Sequence, residues 1–111
     1  MTSLSGKHCV PCEGGASPLD KDTVNELMKE INKEWQLHEG HKEIRRLFKF
    51  SDFHKTMDFV NNVASIAHRE DHHPDMEISY NRCLVRYSTH AIGGLSTNDF
   101  ICAASIDALV E

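Results

Sequence analysis

Two pairs of short, apolar-alternating segments, each joined by a turn too short to hold a helix, limit what this chain can fold into. The first pair is Trp35 to His38 and Glu43 to Phe50. Ile44, Phe48 and Phe50 share a face of the second member, and the Glu39-Gly40 pair marks the turn. The second pair is Met76 to Tyr80, where Met76, Ile78 and Tyr80 alternate, and Cys83 to Ser88, with Cys83, Val85 and Tyr87 on one face. Asn81-Arg82 reads as its loop, and Tyr80 as half-buried strand packing. Parallel neighbours need a crossover of roughly a dozen residues or more, so these turns predict antiparallel pairs.

Helical stripes fill the intervals. Val24, Leu27, Met28, Ile31 and Trp35 recur at one-face spacing and predict a helix over 20–33, with Asp20 and Asp22 at its positive end. Ser51 and Asp52 offer an N-cap for a second helix. Its inward stripe is read as Phe53, Met57, Val60, Ala64 and Ala67, and it ends near His68 or Arg69, ahead of Pro74. After Gly93-Gly94, Ser96 and Asp99 form a capping box, with Asp in place of the usual Glu, for a last helix from Ser96 to Val110. The order α-β-β-α-β-β-α predicts a single α+β domain, a two-layer sandwich with a four-stranded antiparallel sheet and helices on one face. Residues 1–17 have no period and read as an irregular leader; residues 18–111 form the domain.

The 111 residues carry a net charge of −5 with neutral histidines and show no basic cluster. This argues against direct nucleic-acid binding, which rests on a basic face. No apolar run reaches the length of a membrane span, and the first twenty residues lack the apolar core of a secretory signal. The expectation is a cytoplasmic protein, with no membrane association and with Cys9, Cys12, Cys83 and Cys102 as thiols. Cys9-x-x-Cys12 has the spacing of a redox pair or half a zinc site. No second pair follows, so a non-catalytic leader is expected.

Histidine is the outlier: there are eight, three of them between His68 and His73. Such a cluster marks proton chemistry or metal binding. If the last two strands form a hairpin, the end of the fourth returns beside the start of the third and brings His90 near His72 and His73. His68 and His72 are spaced i, i+4, as in a zinc-binding helix, but Arg69 stands where the zinc peptidases need a glutamate. A metal-dependent hydrolase is therefore the weaker reading, and His68 is equally well a solvated helix-end residue. No metal is expected.

The spaced pattern His72-His73-Pro74, then Tyr80, His90 and Asp99, on this order of elements, resembles the signature of the pterin-4a-carbinolamine dehydratases. The resemblance runs from about Leu19 to Val110, and the leader Cys9-Val-Pro-Cys12-Glu-Gly-Gly is similar to openings seen in some members. It implies that His72, His73 and His90 are the catalytic histidines, with His73 the principal acid/base, and that Asp99 is the active-site aspartate. It implies a 4a-hydroxytetrahydropterin substrate, a quinonoid dihydropterin product, no cofactor, and a homodimer or homotetramer. The alternative it carries is a protein-binding module, a dimerisation cofactor of a homeodomain transcription factor, which would add a nuclear location. Two positions depart from the family pattern. His68 replaces a common glutamate, leaving Glu70 or Asp71 to compensate, and Met76 replaces a common aromatic residue. His68, Asp71 and Met76 are thus expected, with Asp99, to bind or orient the substrate.

The residues suit such a reaction. Elimination of water takes a proton from the ring nitrogen beside the 4a carbon and gives one to the departing hydroxyl. Imidazole does both near neutral pH.

Overall fold

In the computed structural model, residues 4–10, 17–38 and 40–110 are described; Cys12 and Glu39 lie outside them. A 3₁₀ turn at Leu4–Gly6 precedes α1 (Lys21–Met28), β1 (Gln36–His38), β2 (Glu43–Lys49), α2 (Phe53–Glu70), β3 (Asp75–Ser79) and β4 (Arg82–Tyr87). A second 3₁₀ turn at His90–Ile92 leads into α3 (Thr97–Val110). Among the described residues no helix is long and apolar enough to cross a membrane.

The strands form one antiparallel sheet in the order β1-β2-β4-β3. Register places Ile44 opposite Tyr87, Phe48 opposite Cys83 and Met76 opposite Val85. Ile44, Phe48, Cys83, Val85 and Tyr87 are all buried on that face, under the helices. The opposite face carries Arg45, Lys49 and Arg86, with Arg86 reaching Glu77 at 3.4 Å. The fold is the expected α+β sandwich. Because β4 lies between β2 and β3, those two run parallel, and α2 supplies the crossover such a pair requires.

The last helix has no polar stripe, a pattern that fits a helix enclosed on all sides. Every residue from Asn98 to Asp107 is buried. The helix packs against α1 and α2 and against the Leu4–Gly6 turn, whose Leu4 is itself buried. Near its C-terminal end Asp107 accepts from Trp35 Nε1 at 2.7 Å, Arg46 at 2.6 Å and the Asn32 backbone N–H at 2.8 Å.

Three local expectations are corrected. The first helix stops at Met28, because the Asn32 N–H is given to Asp107 and the Asn32 side chain caps Glu34. Ile31 and Trp35 still point into the core, from turns. The inward line of α2 is rotated: Thr56, Phe59, Val63, Ile66 and Glu70 are buried, with Val60 and Ala67, whereas Phe53 is 48% exposed and Met57 and Ala64 are half-buried. Thr56 is polar and so falls outside any apolar stripe, yet it is fully buried. It is accommodated by hydrogen bonds to the Asp52 and Tyr80 carbonyls. Finally, the second hairpin turns at Tyr80-Asn81, Arg82 belongs to β4, and Tyr80 is 64% exposed.

Ile44 is fully buried at the centre of the sheet, so Ile44→Ala should cost about 2–5 kcal/mol. Lys49→Ala, on the exposed face, should change stability by less than about 0.5 kcal/mol. Urea unfolding of both variants checks this.

Candidate active site

The end of α2 sets the site. Asp71 adopts a left-handed conformation at φ 50°, giving its N–H to His68 O while the His72 N–H reaches back to Ala67 O. This is a Schellman ending with aspartate at the position that glycine usually holds. The reversal turns His72 inward and leaves His73 exposed.

The His72 ring stacks on Tyr87 of β4, with centroids 5.4 Å apart and planes 11° from parallel. Its Nε2 lies 2.6 Å from Oδ1 of Asp99, which has no solvent exposure. The other carboxylate oxygen accepts from the Thr89 hydroxyl at 2.8 Å and from the Ser96 N–H at 2.9 Å. Since the Thr89 proton is committed to Asp99, Ser96 Oγ donates to Thr89, at 2.8 Å. Burial disfavours the His72 cation, but the hydrogen bond and opposite charge of Asp99 outweigh it, and the pKa is raised.

His72, His73 and His90 line one cavity of about 510 Å³ together with Asp71, Thr89 and Asn98. This volume suits a small organic molecule. The expected proximity of the three histidines is found. Asp99 lies behind His72 rather than on the cavity wall. Neither His68 nor Met76 is among the lining residues. The His68 ring meets that of His73 edge-on with centroids 6.2 Å apart, and Met76 packs against the core.

One wall is the leader. Glu70 Oε1 accepts the Cys9 N–H at 2.8 Å, while Oε2 meets His8 Nδ1 and Arg69 Nε, each at 2.9 Å. The Cys9 backbone and the Arg69 guanidinium hold the Glu70 carboxyl down at about 2. Val10 and Asn98 exchange two further hydrogen bonds. Cys9 and Val10 thus face the cavity. Among the described residues no group of three or more histidine, cysteine or acidic side chains is arranged for a metal.

The sequence puts Tyr87 on the inner face of the sheet but gives neither Tyr87 nor Thr89 a place in the site. Their signal was present: Tyr87 continues the inward alternation of Cys83 and Val85, and Thr89 is the next inward position, a hydroxyl where an apolar residue would fit. The polar Glu70 on the inward line of α2 is a clue of the same kind, legible only once that line is known.

The sequence model of the family described as Pterin 4 alpha carbinolamine dehydratase matches residues 17–109. A protein of Nitrosomonas eutropha, provisionally named pterin-4-alpha-carbinolamine dehydratase, is 52% identical over 99% of this chain and 96% of its own length. A Legionella pneumophila protein with the same provisional name is 49% identical over 99% of the chain and 98% of its length. Among solved structures, a transcriptional coactivator/pterin dehydratase from Brucella melitensis superposes with a TM-score of 0.80 at 32% identity, over 86% of this chain and all of that one. A pterin dehydratase-like protein that is a RuBisCO assembly factor of the alpha-carboxysome shares the fold alone, at a TM-score of 0.60 and 17% identity.

Asp99→Asn should lower the His72 pKa, leaving burial as the main influence. The sign follows from linkage. A raised folded-state pKa stabilises the fold fully below the unfolded value, 6.5, and that stabilisation is lost as pH rises through the folded pKa. The stability gap between the two proteins should therefore be widest in acid and narrow above neutrality. Histidine-resolved NMR titration and urea unfolding across pH check both statements.

Proposed function

We propose that this chain, which belongs to the pterin-4-alpha-carbinolamine dehydratase family, is a lyase that removes water from 4a-hydroxytetrahydropterin to give the quinonoid dihydropterin, in tetrahydrobiopterin recycling. The observation that carries this reading is the convergence of three imidazoles on one cavity, with one of them fixed by a buried carboxylate.

The elimination removes the proton from N5, forms the N5=C4a bond, breaks the C4a–O bond and releases the hydroxyl as water after it gains a proton. It changes no oxidation state. His73 is exposed and lines the cavity, which suits the principal acid/base role. His90, at the start of the 3₁₀ turn after β4, lines the same cavity, which suits the complementary transfer. His72 is held by Asp99 and Tyr87 and stays charged to higher pH than a free imidazole, so it supplies positive charge where the hydroxyl leaves. Asp99 is a positioning residue that acts through His72. Asp71 brings a carboxylate to the cavity. His68 bears on the site through the His73 ring, and Met76 only from the core.

No cofactor or metal enters this scheme. We read the protein as a cytoplasmic homodimer or homotetramer. In support, β1 and β3 are open sheet edges, and Leu47 and Ile78 are each 45% exposed. A protein-binding role as a transcription cofactor, with a nuclear location, has in its favour the name of the Brucella protein. Turnover of freshly generated 4a-hydroxytetrahydropterin by the purified chain separates the two.

His73→Ala should lower that turnover by about 10²–10⁴-fold, and more than His72→Ala or His90→Ala. Full activity in His73→Ala would reverse the assignment. Exhaustive chelation should leave the rate and the circular dichroism spectrum unchanged, and a stoichiometric metal whose removal abolishes turnover would overturn the scheme.

A further inference from the structure

Cys9 and Cys102 are 93 residues apart in sequence, yet their sulfur atoms lie 3.6 Å from each other. The leader that brings Cys9 there is held on two sides, by the Cys9 N–H on Glu70 and by the Val10–Asn98 pair of hydrogen bonds. Asn98 and Cys102 are one helical turn apart, so one face of α3 presents both the anchor and the second thiol. Cys9 is half-buried and faces the cavity, whereas Cys102 is fully buried behind it. Closing the pair to a bond needs the sulfurs to approach to about 2 Å, within reach of a side-chain rotation and a small shift of the leader.

We propose that Cys9 and Cys102 form a reversible disulfide that fastens the leader to α3 at the cavity wall, with a small-molecule disulfide as the oxidant. In the first step the accessible Cys9 sulfur attacks that disulfide, forming a mixed disulfide and releasing one small thiol, which carries away the Cys9 proton. In the second, the Cys102 sulfur attacks Cys9 Sγ, forming the protein bond and releasing the second small thiol with the Cys102 proton. Two electrons pass from the protein thiols to the oxidant, whose sulfur–sulfur bond is reduced. The division of labour follows from burial: Cys9 is half-buried and Cys102 is fully buried. Access sets the order of attack, because the Cys102 contact and burial hold the Cys9 thiol protonated while leaving its sulfur at the cavity wall. Once Cys9 carries the mixed disulfide, the nearby His72 charge still favours the Cys102 thiolate, the form that resolves it. The pairing is distinct from the Cys9-x-x-Cys12 spacing seen in the sequence and does not depend on the reaction carried out in the cavity.

The full chain is incubated with oxidised glutathione, its remaining thiols are alkylated, and it is digested with trypsin and mapped by mass. The expected result is a cross-link, reversed by dithiothreitol, between the peptide holding Cys9 and that holding Cys102. Because Cys12 shares the tryptic peptide of Cys9, Cys12→Ser tells the two apart, and it should keep the link. Closing so long a loop should also raise Tm by roughly 10 °C in the wild type and in Cys12→Ser. Neither Cys102→Ala nor Cys9→Ser should show link or shift; the second substitution leaves the core intact. A Cys9–Cys12 bond, a glutathione adduct that persists on Cys9, or full retention of free thiols would each overturn the proposal.

Discussion

A carboxylate with no access to water organises this molecule. Asp99 joins the first turn of α3 to the end of β4 through Ser96 and Thr89, and to the end of α2 through His72. A charge so placed is tolerated only when its lone pairs are satisfied, and leaving one partner out is costly. The three elements must therefore meet in one arrangement, and that arrangement is also what orients His72 against Tyr87. Fold and site share the same constraint, and neither can be perturbed at Asp99 without the other.

The same helix repeats the device at its other end. Asp107 lies about two turns from Asp99 and gathers Trp35, Arg46 and Asn32. Between the two carboxylates α3 is nearly all apolar, so its rotation within the core has little side-chain polarity to define it. The buried aspartates supply that definition. Glu70 plays a comparable part for the leader, where its two oxygens receive Cys9, His8 and Arg69.

Most of this frame was legible in the sequence because it rests on periodicity. The alternation of Cys83, Val85 and Tyr87 identified the inner face of the sheet, and hairpin geometry alone brought His90 to the paired histidines. Other features depend on distant partners and were not legible. The early end of α1 is set by Asp107, more than 70 residues away. The inward line of α2 was misplaced because overlapping i, i+3 and i, i+4 sets offer several apolar stripes, and the one used contains Thr56 and Glu70, whose polarity is answered by a hairpin carbonyl and by the leader. The positions of His68 and Met76 relative to the cavity depend on the direction in which each side chain leaves its element, to which spacing near the chain's Pro74 is blind.

The strand order has a consequence for synthesis. With β4 inserted between β2 and β3, the inner edge of β2 has no partner until residues 82–87 exist, and the apolar face of the sheet has no complete cover until α3 follows. A chain emerging from the ribosome at about 5–20 residues per second carries β2 with one open edge while residues 50–81 are added. Until β4 is added, β2 offers other chains a strand edge to pair with, and the face that holds Ile44 and Phe48 is complete only once α3 has followed.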